Sequence, residues 1–226
     1  MRFNLRHPWN VSLEEARAIQ EQLRQDVIRE DRLGPVSRVA GVDVGLEDTH
    51  ARAAIAVLSL PDLALQDYAI ARRGVSFPYI PGFLSFREIP AVLDALEKLS
   101  TLPDLLLCDG QGIAHPRRLG IASHLGVLID FPTIGVAKTL LVGHHPPVPN
   151  ERGDWVPLVD KGEVIGAVLR TRVDVKPVYI SSGHRVSLKS AIGYVMQCTT
   201  KYRLPETTRW AHRLASRTGK PPAARP

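Results

Sequence analysis

Cysteine is nearly missing from this chain: only Cys108 and Cys198 occur in 226 residues. With no apolar secretory stretch in the opening MRFNLRHPWN, the pair reads as two reduced thiols of a cytoplasmic protein rather than a disulfide. Long apolar runs are missing as well. Nothing approaches the roughly 18 consecutive apolar residues that span a bilayer, so no membrane partner is expected. Acids are missing from the end of the chain. None follows Glu206, whereas Arg209, Arg213, Arg217, Lys220 and Arg225 do. Of the net charge of +6, those five leave about +1 for residues 1–206. A basic end suits a polyanionic partner, and a merely solvated tail accounts for it too.

What is present is enough apolar sequence for a sizeable core, 44% of all residues. One domain over residues 1–216 is expected, followed by a disordered basic tail over 217–226. Residues 12–30 read as an amphipathic helix: Ser12 and Glu15 form a capping box, Ala16, Ile19, Leu23 and Val27 share a face, and Gly34-Pro35 stops it. Strands follow at 38–45, 53–60 and 63–71, spaced as an antiparallel meander. Leu93, Leu96 and Leu99 mark a helix. The continuous apolar run 105–108 reads as a fully buried central strand ending at Asp109-Gly110. A helix over 117–130, a strand at 133–136, a hairpin over 155–169, a strand at 178–180 and a helix over 187–198 complete the pattern. The order points to an α/β fold, a mixed β-sheet with helices on its faces.

Two acids stand out against that pattern. Asp43 lies inside an apolar strand and Asp109 ends another, and a buried carboxylate needs a cation or several donors. A shared divalent ion would satisfy both, and hard oxygen ligands suit Mg²⁺ or Mn²⁺. A structural salt bridge for Asp43 and an Asp-Gly turn for Asp109 explain each residue equally well when taken singly. Glu88 has its own alternative, because Ser85 and Glu88 match a capping box. Pro90 then falls beyond the first turn, so the helix start is expected to be irregular or later than Ser85.

Pro78-Tyr79-Ile80-Pro81-Gly82 combines two fixed φ angles with apolar tips, giving a stiff loop that either covers the core or wedges between bases. Gly120 lies where a helix is expected to run, which suggests close approach of another backbone or a ligand. His115 sits beside Arg117-Arg118, and Lys138 emerges from a strand end. Contact of either with phosphate or water competes with an ordinary structural or solvated role. Residues 182–185 read as a polar turn before a helix, a candidate anion site.

These segments together resemble the endonuclease V family, the deoxyinosine 3′-endonucleases. Matching stretches are VAGVD at 39–43, PYIPGFLSFRE at 78–88, DGQGIAHPRRLGIASHLG at 109–126, IGVAK at 134–138, SGHRVS at 182–187 and PETTRWAH at 205–212. They cover nearly the whole chain in order. The resemblance implies a ribonuclease H-like fold, with Asp43 on the first strand, Glu88 offered by a helix and Asp109 ending the central strand, the three holding Mg²⁺, for which Mn²⁺ can substitute. It implies hydrolysis of the second phosphodiester bond 3′ of an inosine, leaving 3′-hydroxyl and 5′-phosphate ends. Pro78, Tyr79, Ile80 and Pro81 would form the wedge, and Gly82, Leu84, Gly110, Gly120 and Ile121 the base pocket. His115 and Lys138 would assist at water and phosphate. The implied partner is inosine-containing DNA, with single-stranded RNA as a second candidate, bound by a monomer. The alternatives are a structure-selective nuclease of the same fold and a nucleic-acid-binding module that does not cut. Against the second, a pure binder gains nothing from acids facing phosphate.

Overall fold

Alternating side chains place apolar residues on both faces of one sheet, and that alternation decides where the acids fall. The computed structural model describes residues 6–47 and 49–216, so the expected tail at 217–226 lies outside the described residues. The strands β1 (Arg38–Glu47), β2 (His50–Ser59) and β3 (Leu65–Gly74) form the expected antiparallel meander. The strands β4 (Leu105–Asp109) and β5 (Thr133–Ala137) follow, parallel to β1 and to each other. The hairpin β6 (Trp155–Asp160) and β7 (Glu163–Leu169) and then β8 (Val178–His184) complete an eight-stranded sheet of order β3-β2-β1-β4-β5-β8-β7-β6. Pro157 is tolerated because β6 is an edge strand. The expected mixed sheet flanked by helices is therefore present.

Strand residues two apart share a face. Ala40 and Val42 of β1, Ala53, Ile55 and Val57 of β2, and Leu106 and Cys108 of β4 pack in one apolar cluster with the helices α2 (Leu84–Leu96) and α3 (Ile121–Ile129). Val39, Leu105 and Leu107 face the other way, toward α4 (Leu188–Gln197). Ala54, Ala56 and Leu58 meet α5 (Glu206–Ala215) there too. The fully buried Leu105, Leu106 and Leu107 each contribute about 1.5–3 kcal/mol by leaving water. Both cysteines are buried and unpaired, and burial pushes each thiol up to about 12. Among the described residues no helix is long and apolar enough to cross a membrane.

Several elements differ from the sequence reading, each for a tertiary reason. The first helix, α1 (Leu13–Leu23), has the expected capping box but gives way to a single 3₁₀ turn, Arg24–Asp26, instead of running to residue 30. Beyond it the backbone is claimed from far along the chain: Ile28 N–H donates to His184 Nδ1 and its carbonyl accepts from Arg185, while Arg32 N–H donates to the Arg185 carbonyl. Helix α3 begins at Ile121, not at 117, with Gly120 as its N-cap. Residues 182–184 belong to β8, and the His184 ring is occupied by Ile28 and Asp130, so no anion-binding turn exists there. Helix α5 was not legible as a helix at all.

Candidate active site

The β1–β4 register explains how the two isolated acids meet. Val39 pairs with Leu105, Gly41 with Leu107 and Val42 with Cys108. One rung further, Asp43 and Asp109 fall side by side, at the point where β4 ends and β1 runs on, paired with β2, to Glu47. Both carry odd numbers, so both turn away from the α2 face and toward α4 and α5. Asp109 in turn pairs with Val136 of β5, and the same alternation carries Lys138, just past that strand, to the same face. The carboxyl ends of adjacent parallel strands are the usual ligand-binding edge of an open α/β sheet.

Helix α5 completes this edge. A Cβ on Gly41 would come within 2.0 Å of the Thr207 carbonyl oxygen, and one on Gly45 within 2.8 Å of that of Ala215. The two glycines thus let α5 lie directly on β1, and Asp43, midway between them, faces His212. His212 Nδ1 donates to Asp43 Oδ2 at 2.7 Å. Ligand atoms of Asp43, Asp109 and His212 all lie within 4.8 Å of one another, a group that could hold a metal ion. Lys138 Nζ pairs with Asp109 Oδ2, so each carboxylate is now met by a cationic or proton-donating side chain. The two carboxylates are hard oxygen ligands of the kind Mg²⁺ and Mn²⁺ take, whereas an imidazole is more often a ligand of the later transition metals.

Glu88 reaches the site from α2, on the opposite face of the sheet. It is only 7% exposed. Burial, then the charges of Asp43 and Asp109, push its carboxyl up to about 8, with Arg87 acting weakly the other way. Burial and Asp43 also raise Asp109, opposed by Lys138. Among the described residues Glu88 is outside the tight group of three, yet it shares their field. The capping-box alternative for Glu88 is not what forms: Phe83 is the N-cap of α2 with no side-chain cap, and Ser85 Oγ bonds His124 Nδ1 at 2.9 Å. The helix starts at Leu84, earlier than expected, and carries Pro90 in its interior. A surplus of buried negative charge around one point is the condition a divalent cation relieves.

Beside this cluster lies a cavity of about 380 Å³. Its lining shares Asp109 and Lys138 with the acidic edge and also includes Tyr79, Ile80 and Pro81 of the stiff loop. All five residues of the expected base pocket, Gly82, Leu84, Gly110, Gly120 and Ile121, line it. Pro78 and the carboxylates of Asp43 and Glu88 lie outside that lining. Tyr79 is 69% exposed, a bare ring at the rim, not a cover over the core. Helices α2 and α3 both begin at the cavity wall, and no described side chain caps either. First-turn N–H groups have no partner inside their own helix; Phe86 N–H is taken by the Phe83 carbonyl and Ala122 N–H by that of Gln111, which leaves the amides of Leu84 and Ile121 as the candidate donors at the wall. The close approach expected at Gly120 is real: a Cβ there would meet the Gln111 carbonyl oxygen at 2.3 Å.

The basic pair and the histidine next to it have other employment. Arg118 pairs with Asp160 at 2.8 Å and Glu163 at 2.7 Å. His115 is buried, its Nδ1 accepts the Arg117 backbone N–H at 3.2 Å and its Nε2 meets the Gly82 carbonyl at 3.0 Å. Burial and the neighbouring Arg117 push its pKa down to about 4. Both nitrogens are thus engaged by the protein, while the ring also lines the cavity. His212, by contrast, was assigned no role from sequence. Its only signal there was the family-like PETTRWAH segment that carries it.

Comparison with known proteins agrees with this fold. The family model described as Endonuclease V matches residues 21–213. The endonuclease V of Trichormus variabilis is 66% identical over 213 residues, 93% of this chain and 96% of that protein. The crystal structure of endonuclease V from Streptomyces avermitilis superposes with a TM-score of 0.88 at 46% identity, covering 93% of this chain and 94% of the other. Endonuclease V from Ciona intestinalis, solved in complex with a 23mer DNA containing an inosine followed by a ribo-adenosine, gives a TM-score of 0.80 at 31% identity and covers 91% of this chain and 97% of the other.

Proposed function

The chain belongs to the endonuclease V family of nucleases, and from that premise we propose that it is a divalent-metal-dependent enzyme that hydrolyses the second phosphodiester bond 3′ of an inosine. The observation that carries this reading is the shared wall: Asp109 and Lys138 belong both to the acidic edge and to the cavity. A nucleotide extruded into the cavity therefore has its backbone led past the carboxylates. The cavity volume of about 380 Å³ is in the range that takes a small ligand such as a nucleobase.

Asp43, Asp109 and His212 would hold Mg²⁺ or Mn²⁺, with Glu88 as the further acid beside them. The cation supplies Lewis acidity, polarising the phosphoryl oxygen and lowering the pKa of water. The remaining work belongs to the chain's own groups. Lys138, which pairs with Asp109, would neutralise phosphate charge. Water oxygen attacks phosphorus in line, the P–O3′ bond breaks, the water gives up a proton and the leaving oxygen gains one. The products are a 3′-hydroxyl and a 5′-phosphate.

Tyr79, stiffened by Pro78, Ile80 and Pro81, occupies the gap in the base stack. Unstacking a mispaired base costs less than unstacking a paired one, which favours the lesion. At the wall, the N–H groups near Leu84 and Ile121 suit the O6 acceptor of hypoxanthine, where adenine presents an amine donor. A site built of donors leaves that amine unpaired, which is the basis of strong discrimination. The test is cleavage of matched strands differing only by inosine for adenosine, as DNA and as RNA, with Mg²⁺ and with chelator. Cutting confined to the inosine strand with Mg²⁺ present is expected. Equal cutting of both strands, or cutting only of branched DNA without inosine, rejects the reading.

A further inference from the structure

We infer that Gln20, His115 and Arg117 form a clamp that locks the Tyr79 loop, making Gln20 of α1 a positioning residue for lesion recognition. The inference rests on the function proposed above and concerns what holds the wedge, not what the wedge touches. The carbonyl of Gly82 receives three donors: Arg117 Nη2 at 2.7 Å, Gln20 Nε2 at 3.0 Å and His115 Nε2 at 3.0 Å. A carbonyl oxygen has two lone pairs, so this one is fully committed to the protein. It leaves the neighbouring wall, not Gly82 oxygen, to read a base.

Each donor is fixed in its turn. Gln20 is fully buried on α1, and its Oε1 accepts from Arg117 Nε, which forces its Nε2 toward Gly82. His115 Nδ1 accepts a backbone N–H, so the proton of the neutral ring sits on Nε2, facing Gly82. The Arg117 guanidinium also lies 4.1 Å from the centre of the Phe83 ring. On the other side of the same residue, Phe83 N–H donates to the Ile80 carbonyl at 3.0 Å. With Pro81 second and Gly82 third at φ +80°, residues 80–83 form a type II turn. The turn and the clamp thus grip Gly82 from both ends, immediately behind the exposed Tyr79.

A wedge on a swinging loop has to be ordered during binding, whereas a clamped one enters the stack with its conformation already set. This gives the buried glutamine of an otherwise amphipathic helix a reason to exist. Two substitutions separate the clamp from simple packing. Gln20→Met fills similar space with no polar atom, and Gln20→Glu keeps the acceptor for Arg117 but has no donor for Gly82. Both are expected to raise KM for the inosine strand about tenfold, with kcat reduced less than about threefold, the pattern of a lost preorganisation term. Amide hydrogen exchange at Phe83 should speed up about tenfold or more as the turn opens locally. Folding of each variant is checked by its melting transition, and Gln20→Glu carries the test if Gln20→Met does not fold. Folded variants with unchanged Phe83 exchange and unchanged KM overturn the clamp. If the unaltered protein shows no preference for inosine, the functional reading fails instead, and Phe83 exchange still decides whether the clamp exists.

Discussion

The acidic edge and the cavity share Asp109 and Lys138, but they are built on different principles. The edge is made of side chains on β1, β4, α2 and α5 and one just past β5, held by charge: Asp43 against His212, Asp109 against Lys138, Glu88 buried beside both. The cavity is lined mainly by apolar residues such as Ile80, Leu119, Ile121 and Leu140, with a turn and two helix starts that no side chain caps opening onto it. One region concentrates field at a point, as phosphate chemistry needs. The other arranges neutral donors, as telling one base from another needs. Changes in the first should therefore fall on the chemical step, and changes in the second on recognition.

The largest effect that sharpens this division is expected from Asp109→Ala. Loss of a carboxylate common to the proposed metal group should reduce kcat by about 10³-fold or more, roughly 4 kcal/mol of transition-state stabilisation. Binding of the inosine strand should persist, and undiminished cleavage would reject the role given to Asp109. His212→Ala comes next. The Mg²⁺ concentration for half-maximal cleavage should rise by at least about 10- to 100-fold, the loss seen even for a residue that only supports a metal ligand. An unchanged Mg²⁺ titration would remove His212 from the site. Tyr79→Ala should weaken lesion-strand binding about tenfold, since losing an aromatic stacking partner costs about 1–3 kcal/mol. A matched loss on undamaged strands would argue against the wedge.

The smallest effect concerns stability. The folded pKa of Glu88 lies above its ordinary value, near 8 instead of 4.5. In the folded state the group binds a proton that the unfolded chain has released, so this contribution is complete below 4.5 and is lost as pH rises through about 8. With metal chelated, the melting temperature should fall across that window, and Glu88→Gln should flatten the fall. A Glu88→Gln protein with the unaltered slope would mean that the carboxyl does not feel its neighbours.

The same contrast explains what could be read from the sequence. Asp43 sits inside an apolar strand, Asp109 ends another and Lys138 follows a third, and the period of two of those strands survives in the residues themselves. The direction each acid faces then follows from counting. Helix α5 hides because its buried face is Thr207, Thr208, Ala211, Leu214 and Ala215, too polar and too small to show an apolar stripe, and His212 hides with it. Gln20 occupies a core-facing position of α1 between Ala16 and Leu23, where a polar residue breaks the stripe instead of announcing a role. Ser85 and Glu88 match a local cap whose partners turn out to be His124 and two distant acids. Residues 27–32 continue a helical pattern locally but find their backbone partners on residues 184 and 185. In each case the deciding contact lies too far along the chain for a local pattern to carry it.

The most direct test of the central idea is Mn²⁺ binding followed by its electron paramagnetic resonance signal, in the unaltered protein and in Asp43→Asn. The account predicts that the unaltered protein quenches the free-ion signal and that the substituted protein, still folded, loses most of that capacity. Equal Mn²⁺ uptake by the two would contradict it, because Asp43 and the acids beside it would then not be what holds the ion.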